Sequence, residues 1–374
     1  MNEYRIKAMK ILIVCQYYYP ENFVISNISE TLVRLGNDVT VLTGKPNYGY
    51  GYIIPEYKKI KYEEINGVKV HRVNLSPRKK SRISIVRNYL SFWKNSKHWV
   101  RKCKTEYDIV YSMSLSPVTI LSAGNLYKKK HKVKHVVHCV DLWPESVLIT
   151  HAVKEKSLIY KILYKWSVFL YSQVDQILIG SPSYEQYFRD ILNIKETPIK
   201  FVPQPSVIEK DIDLSIDSNN EFNILYCGNL GIVQKIELIP EIMKYVKDKS
   251  VKFHVIGMGP KSDELQDLIK ENSLENKLIY HGPMPAIKTL PYYEKADITY
   301  ISLAKEGYVG KTIPNKIMMS MALGKPILGV LDGDGKDIIL NCKCGYVVNE
   351  NPIEIANKID ELGAHQLITS SGLK

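Results

Sequence analysis

No run in this chain reaches the roughly 20 uninterrupted apolar residues that a membrane span needs. The nearest candidate, 157–180, is broken by Lys161, Lys165 and Asp175. A signal-peptide core is also missing: the apolar stretch 10–15 is too short, and Glu21 and Asn22 follow it closely. The six cysteines form neither a disulfide framework nor a metal pattern. Cys15, Cys139 and Cys227 sit in apolar β-type runs, where free cysteine behaves as a small hydrophobe. Cys342 and Cys344 are a lone C-x-C with no second pair. These absences predict a protein of a reducing, cytoplasmic compartment. No G-x-G-x-x-G opens the chain, and at 257–262 Ser262 stands where the third glycine belongs, which disfavours a dehydrogenase.

What is present suits two domains. The chain has 374 residues, 45% apolar and 24% charged, more than one ordinary core accommodates. Two series of short apolar runs alternate with helix-patterned segments. The first is 10–14, 38–43, 68–73, 108–112, 135–140, 176–180 and 199–203. The second is 223–228, 252–257, 277–282, 298–303, 326–331 and 345–349. Both are rich in Val, Ile and Tyr and bounded by Gly, Pro, Asn or Asp, as strands buried on both faces of a parallel sheet are. Helix patterns at 26–35, 185–192 and 261–271 complete βαβ units. The polar stretch 208–221 has no apolar periodicity and reads as a linker. The expected fold is α/β: two doubly wound Rossmann-like domains, 1–207 and 222–374, facing a central cleft at the carboxyl ends of their strands. One large α/β domain with an insertion is the alternative.

Three strand–turn–helix junctions in the second half suit an anion. Gly228-Asn229-Leu230-Gly231 follows the first run, with Gln234 and Lys235 just beyond. A Gly-x-x-Gly turn there lets the backbone approach an anion and aims N–H groups at it, and Lys235 adds a point charge for a diphosphate. Gly257-Met258-Gly259-Pro260 repeats the arrangement. The longest junction runs from Glu306 through Gly310, Lys311, Thr312 and Pro314 to Asn315 and Lys316. Thr312 is placed to cap the next helix, with Pro314 in its first turn and both lysines at that end. Glu306 can accept hydrogen bonds from ribose hydroxyls. Each junction alone reads equally as an ordinary glycine turn or a capped helix; together they favour a phosphorylated ligand. Asp332-Gly333-Asp334 imitates a D-x-D metal site but reads as a glycine-rich loop, so no metal and no other cofactor is expected.

The order of these motifs resembles glycosyltransferase family 4. It comprises Tyr226-Cys-Gly-Asn-Leu-Gly231, Val255-Ile-Gly-Met-Gly-Pro260, His281-Gly-Pro283, Ala296-Asp297, Pro314-Asn315-Lys316 and Met321-Ala-Leu-Gly-Lys-Pro326. In the first half, Thr43-Gly-Lys-Pro-Asn-Tyr48 and Asp141-Leu-Trp-Pro-Glu-Ser146 resemble the branch that builds bacterial O-antigens and capsules, including N-acetylfucosamine transferases. The match runs from about residue 9 to about 348. It implies the GT-B fold and metal-independent transfer, with retained configuration, from a nucleotide-sugar donor, UDP-linked in this branch, to a lipid-linked saccharide. The resemblance puts Gly228, Asn229, Gly231, Gln234, Lys235, Gly257, Gly259, Glu306, Gly310, Thr312, Asn315 and Lys316 at the donor. It puts Pro20, Glu21, Asn47, Tyr48, Trp143 and Glu145 at the acceptor. Asp141, His138 and Lys235 become candidate catalytic groups, although Asp141 reads equally as a turn cap and His138 as a core histidine.

Three positions depart from the family. Its usual pair of glutamates falls here on Lys311 and Met319, leaving Glu306, Asn315 and Lys316 as substitutes. The usual arginine of the first glycine loop is Asn229. The family's C-terminal crossing helix is not evident in the twenty or so residues after the last run.

The net charge is +12. Much of it lies in 77–104, where ten Lys and Arg residues, Arg78, Arg82, Arg87 and Arg101 among them, stand with no acidic residue. Phe92, Trp93 and Trp99 are interleaved, a pattern that predicts an interfacial helix on anionic lipid at the inner face of the cell membrane. No helix-turn-helix, zinc-finger or RNP pattern accompanies it, so nucleic acid is not an expected partner. A solvated surface helix is the plainer reading. Two other functions stay open: a non-hydrolysing nucleotide-sugar epimerase of the same fold, and a non-enzymatic basic binding protein.

Overall fold

The computed structural model describes residues 8–21, 23–79, 81–149, 153–206 and 221–371. The chain divides into two compact units, Met1–Pro205 and Ser206–Lys374. The expected linker 208–221 lies outside the described residues apart from Glu221.

In the first unit the strands are β1 (Lys10–Val14), β2 (Asp38–Gly44), β3 (Tyr62–Ile65), β4 (Val68–Val73), β5 (Ile109–Ser114), β6 (Lys134–Cys139), β7 (Gln176–Ile179) and β8 (Ile199–Phe201). Its helices are α1 (Ile25–Arg34), α2 (Arg82–Lys102), α3 (Leu121–His131), α4 (Glu145–Ile149), α5 (Leu158–Tyr171) and α6 (Ser183–Gln186). The sheet order is β3-β4-β2-β1-β5-β6-β7-β8, parallel except for the β3–β4 hairpin. Successive residues of β1 serve opposite faces, as a two-sided core requires. Ile11 and Ile13 pack with Ile25, Val39, Val41, Val68 and Val70. Leu12 and Val14 pack with Leu42, Phe92, Val110 and Ala123, beneath α2 and α3.

In the second unit β9 (Phe222–Cys227), β10 (Val251–Ile256), β11 (Leu278–Tyr280), β12 (Ile298–Ser302), β13 (Ile327–Val330) and β14 (Gly345–Val347) form a parallel sheet in the order β11-β10-β9-β12-β13-β14. Its helices are α7 (Leu238–Tyr245), α8 (Ser262–Glu271), α9 (Ala286–Lys295), α10 (Asn315–Ala322), α11 (Gly333–Asn341) and α12 (Pro352–Ser371). Each sheet reverses its winding once, at β1/β5 in the first unit and β9/β12 in the second. In open α/β sheets the crevice beyond such a point is where ligands bind.

Three local expectations are revised. β3 was not anticipated: its Glu63 and Glu64 break the apolar pattern, and it pairs only at the sheet edge through the tight Asn66-Gly67 turn, both residues at positive φ. The helix expected at 185–192 is the single turn α6 followed by a wider turn, Tyr187–Ile191, closed by the Leu192 amide donating to the Tyr187 carbonyl at 3.1 Å. The residues after β14 do form a helix, α12, whose Ile355, Ala356 and Ile359 complete the core beside α7.

Candidate functional site

At the carboxyl end of β9 and β10 two glycine turns are joined by backbone hydrogen bonds. The Gly228 amide donates to the Ile256 carbonyl at 2.9 Å, and the Leu230 amide to the Met258 carbonyl at 3.0 Å. Gly228 and Gly257 adopt φ of 148° and 142°, which side chains rarely follow. A Cβ on Gly257 would meet the Gly228 carbonyl oxygen, and one on Gly259 the Leu230 carbonyl. The glycines therefore permit backbone to lie on backbone.

Lys316, in the first turn of α10, runs beneath the first turn. A Cβ on Gly228 would land on its Cε, and its Nζ lies 4.9 Å from the centre of the Tyr226 ring. No carboxylate pairs with it among the described residues. Burial pulls its ammonium down from 10.5 to about 8. A cation kept in so poor a solvent, with no counter-charge, is a site prepared for an anion.

The other donor candidates divide. Lys235 stands in the left-handed region at φ 46°, and its Nζ is 2.5 Å from Glu350, so its charge is already paired. Gln234 gives its carbonyl to the Ser302 hydroxyl at 2.6 Å and shares a 3.5 Å contact with Asn229. Gly231 packs against both side chains. Glu306 is exposed and heads a tight turn, its carbonyl accepting the Gly310 amide at 3.2 Å; Gly310 lies against the 304–305 backbone. Thr312 does not cap α10. The helix starts three residues later, because Pro314 at ψ 140° holds the chain extended up to Asn315, which is exposed. Lys311 is held apart over the Tyr308 ring, 5.3 Å from its centre. Asp332-Gly333-Asp334 starts α11, and Asp332 pairs with Lys305 at 3.1 Å.

In the first unit the loops after β1, β2 and β6 carry the acceptor candidates. Glu21 is buried, and its carboxylate accepts the Asn47 and Tyr48 amides at 2.6 and 2.5 Å; burial raises its pKa despite those bonds. Pro20 follows a cis bond beside it. Asn47 is wholly buried, Tyr48 is 45% exposed, and Trp143 is buried. Glu145 accepts the Tyr160 hydroxyl at 2.9 Å. Asp141 is desolvated, which raises its pKa, while its carboxylate accepts the Ser116 amide. His138 lies within the sheet, 2% exposed, its Nδ1 2.8 Å from the Tyr111 hydroxyl; burial lowers its pKa to about 4, so the ring is neutral.

Sequence reasoning missed the polar cluster around these loops. Asn88 on α2 accepts the Gln16 amide group at 2.6 Å and donates to Asn47 at 3.0 Å. Arg78, grouped in the sequence with the basic surface, turns inward. Its Nη1 donates to the Tyr17 hydroxyl at 3.1 Å and the Tyr89 hydroxyl at 2.5 Å. Phe92, Trp93 and Trp99 of α2, expected at the lipid, likewise face the protein. Phe92 is in the core, Trp93 donates to the Ser122 hydroxyl at 3.0 Å, and Trp99 packs on His71 at 5.0 Å. The outward face of α2 is instead Arg82, Ile83, Val86, Arg87, Leu90, Lys94 and Arg101. Beside it, with Trp166 edge-on to Trp93 at 5.7 Å, α5 exposes Leu158, Ile159, Ile162 and Phe169 next to Lys161 and Lys165. No described helix is long and apolar enough to cross a membrane.

The profile of Glycosyltransferase Family 4 matches residues 22–205, and that of Glycosyl transferases group 1 matches residues 221–365. A probable glycosyltransferase of Pseudomonas aeruginosa, WbjE, is 26% identical over 281 residues, covering 71% of this chain and 68% of its own. A putative colanic acid biosynthesis glycosyl transferase of Escherichia coli, WcaI, is 25% identical over 123 residues, 32% of this chain and 30% of its own. Anabaena HepE, solved in complex with UDP, superposes with a TM-score of 0.63 at 15% identity, covering 97% of this chain and 95% of that one. With both units matched and two parallel α/β sheets in place, the chain belongs to the family 4 glycosyltransferases and has the GT-B fold.

Proposed function

We propose that this chain is a retaining glycosyltransferase that moves an N-acetylated deoxy-amino sugar, N-acetylfucosamine or a close relative, from a UDP donor to a polyprenyl-diphosphate-linked saccharide in capsule or O-antigen synthesis. The observation that carries the reading is the unpaired Lys316 ammonium beneath the two joined glycine turns, at the winding reversal of the second sheet. Motif order in the first unit and the colanic acid role of the WcaI relative support the polysaccharide setting. UDP is supported by the HepE complex.

In the reaction the bond from the sugar C1 to the diphosphate oxygen breaks, and a bond from an acceptor hydroxyl to C1 forms on the same face. The hydroxyl proton passes to the departing diphosphate. Lys316 stabilises the charge that grows on the diphosphate, without a divalent cation. Glu306 holds the ribose. Asp141, a desolvated carboxylate, faces the oxocarbenium-like sugar or the acceptor hydroxyl. The basic and apolar faces of α2 and α5 rest on anionic lipid at the inner face of the membrane.

Thermal unfolding with UDP, GDP or neither tests the donor, and a mass-read screen of nucleotide sugars with a lipid-linked acceptor tests the reaction. UDP is expected to raise the melting point by several degrees. A chain indifferent to every nucleoside diphosphate ends the reading.

A further inference from the structure

Arg78 is drawn in from solvent and pairs with no carboxylate among the described residues. Its backbone amide is fixed by the buried Asn47 side chain at 2.9 Å. Its Nη1 is spent on the Tyr17 and Tyr89 hydroxyls, and its charged carbon lies 5.4 Å from the Tyr48 ring centre and 5.2 Å from that of Tyr89. Its Nε and Nη2 donate to nothing among the described residues. Tyr17 and Tyr89 are desolvated, which raises both phenol pKa values, so both remain protonated. The Tyr17 hydroxyl passes its proton toward Asn88 at 3.4 Å, whereas that of Tyr89 has no acceptor among the described residues. Two guanidinium donors and one phenol donor are thus left over in one place. A planar fork backed by aromatic faces matches a two-oxygen anion.

Arg78 stands three residues before the N-cap of α2, Ser81, and the outward face of that helix begins with Arg82 and Ile83. The Tyr48 ring, 45% exposed and edge-on to Tyr17 at 4.9 Å, leaves an open aromatic wall.

We propose that Arg78, with Tyr89 and the ring of Tyr48, binds a phosphate of the acceptor's lipid-linked diphosphate, and so selects phosphorylated over neutral acceptors. This rests on the transferase reading for its purpose, though not for its chemistry.

The test titrates the full chain with farnesyl diphosphate, inorganic pyrophosphate, farnesol and a methyl glucuronoside. Wild type is compared with Arg78→Gln, Arg78→Lys, Tyr89→Phe and Lys316→Met. Arg78→Gln is expected to weaken farnesyl diphosphate at least tenfold and to leave farnesol as it was. Arg78→Lys, which keeps the charge without the fork, recovers only part of that loss. Tyr89→Phe, which keeps the ring, weakens binding about threefold, and it reads the site if Arg78→Gln does not fold. Pyrophosphate that competes with farnesyl diphosphate locates recognition in the diphosphate alone; pyrophosphate that fails to compete shows that the lipid contributes too, and both support the site. Loss confined to the glucuronoside, or farnesyl diphosphate indifferent to both Arg78 and Tyr89, overturns it. Lys316→Met separates the two readings, since it should abolish UDP binding and spare farnesyl diphosphate. A chain that binds no nucleoside diphosphate but still needs Arg78 for farnesyl diphosphate loses the donor reading and keeps this site.

Discussion

The second unit holds its candidate anion site with backbone, and the first unit holds its own with side chains. Around Gly228 and Gly257 the amides and carbonyls of two adjacent turns grip each other, and one lysine supplies the charge. Around Arg78 the same need is met by Gln16, Tyr17, Asn47, Asn88 and Tyr89, which come from two separate loops and a helix. Backbone geometry is cheap to specify, requiring only that certain positions lack a Cβ. A side-chain network requires every donor to find its acceptor, because a buried polar atom left alone costs about 1–3 kcal/mol. The first site should therefore fail through shape, and the second through unmet hydrogen bonds.

The largest expected effect lies in the turns. Gly257→Ala drives a methyl into the Gly228 carbonyl at a φ of 142°, and should cost more than about 3 kcal/mol of stability in urea unfolding. Gly282→Ala, at φ 72° with open space around it, should cost about 1 kcal/mol. Equal losses would remove the argument that the two turns are one part.

Next comes charge. Lys316→Met should lower kcat/KM about 100-fold and abolish the UDP-induced melting shift. It should leave the unliganded melting point unchanged or higher, since it deletes a desolvated cation. The pH dependence follows from the same group. Between about 8 and the ordinary lysine value of 10.5 the folded chain binds fewer protons at Lys316 than the unfolded chain does. This residue's contribution to stability therefore rises with pH through that window, and its cost is greatest at neutral pH. A bound diphosphate reverses the shift. UDP binding should take up protons above about pH 8 and weaken by at most tenfold per pH unit, as calorimetry in two buffers of different ionisation enthalpy would reveal.

In the side-chain site, Asn88→Leu removes the acceptor of the Gln16 amide group and the donor to the Asn47 oxygen and the Ser76 carbonyl, and should cost about 2 kcal/mol. It should raise the acceptor KM while the UDP melting shift survives; a loss of both would erase the distinction between the sites. The smallest effect belongs to the surface. Ile162→Glu with Phe169→Glu should reduce flotation with anionic vesicles severalfold and leave stability within about 0.5 kcal/mol, because both side chains already face solvent.

The contrast also explains what could be read from the residues alone. Buried strands such as β1 and β12 announce themselves because both faces are apolar, whereas β3 carries two glutamates and showed only its Asn66-Gly67 turn. The two glycine turns were legible because their glycines are adjacent in sequence, and the position of Lys316 because it lies in the first turn of a helix. Arg78 was not, because its partners Tyr17 and Asn47 lie 61 and 31 residues away. In α2 the bulky apolar residues are divided between the two faces, Ile83, Val86 and Leu90 outward and Phe92 inward, so apolar character could not tell its inner face from its outer. Phe92, Trp93 and Trp99 were assigned to lipid when packing against α3 and β4 claims that side. The apolar surface on α5 was passed over because its run was judged only as a membrane span.

The two joined turns also restrict how such an enzyme can change over evolutionary time. A Cβ on Gly257 or Gly259 would meet the first turn's backbone and one on Gly228 the Lys316 side chain, so none of the three positions has room for a side chain. Change has to enter elsewhere: Gly282 and Gly307 have no atom within 4 Å of where a Cβ would stand, so a side chain there meets the strain of its positive φ and no neighbour.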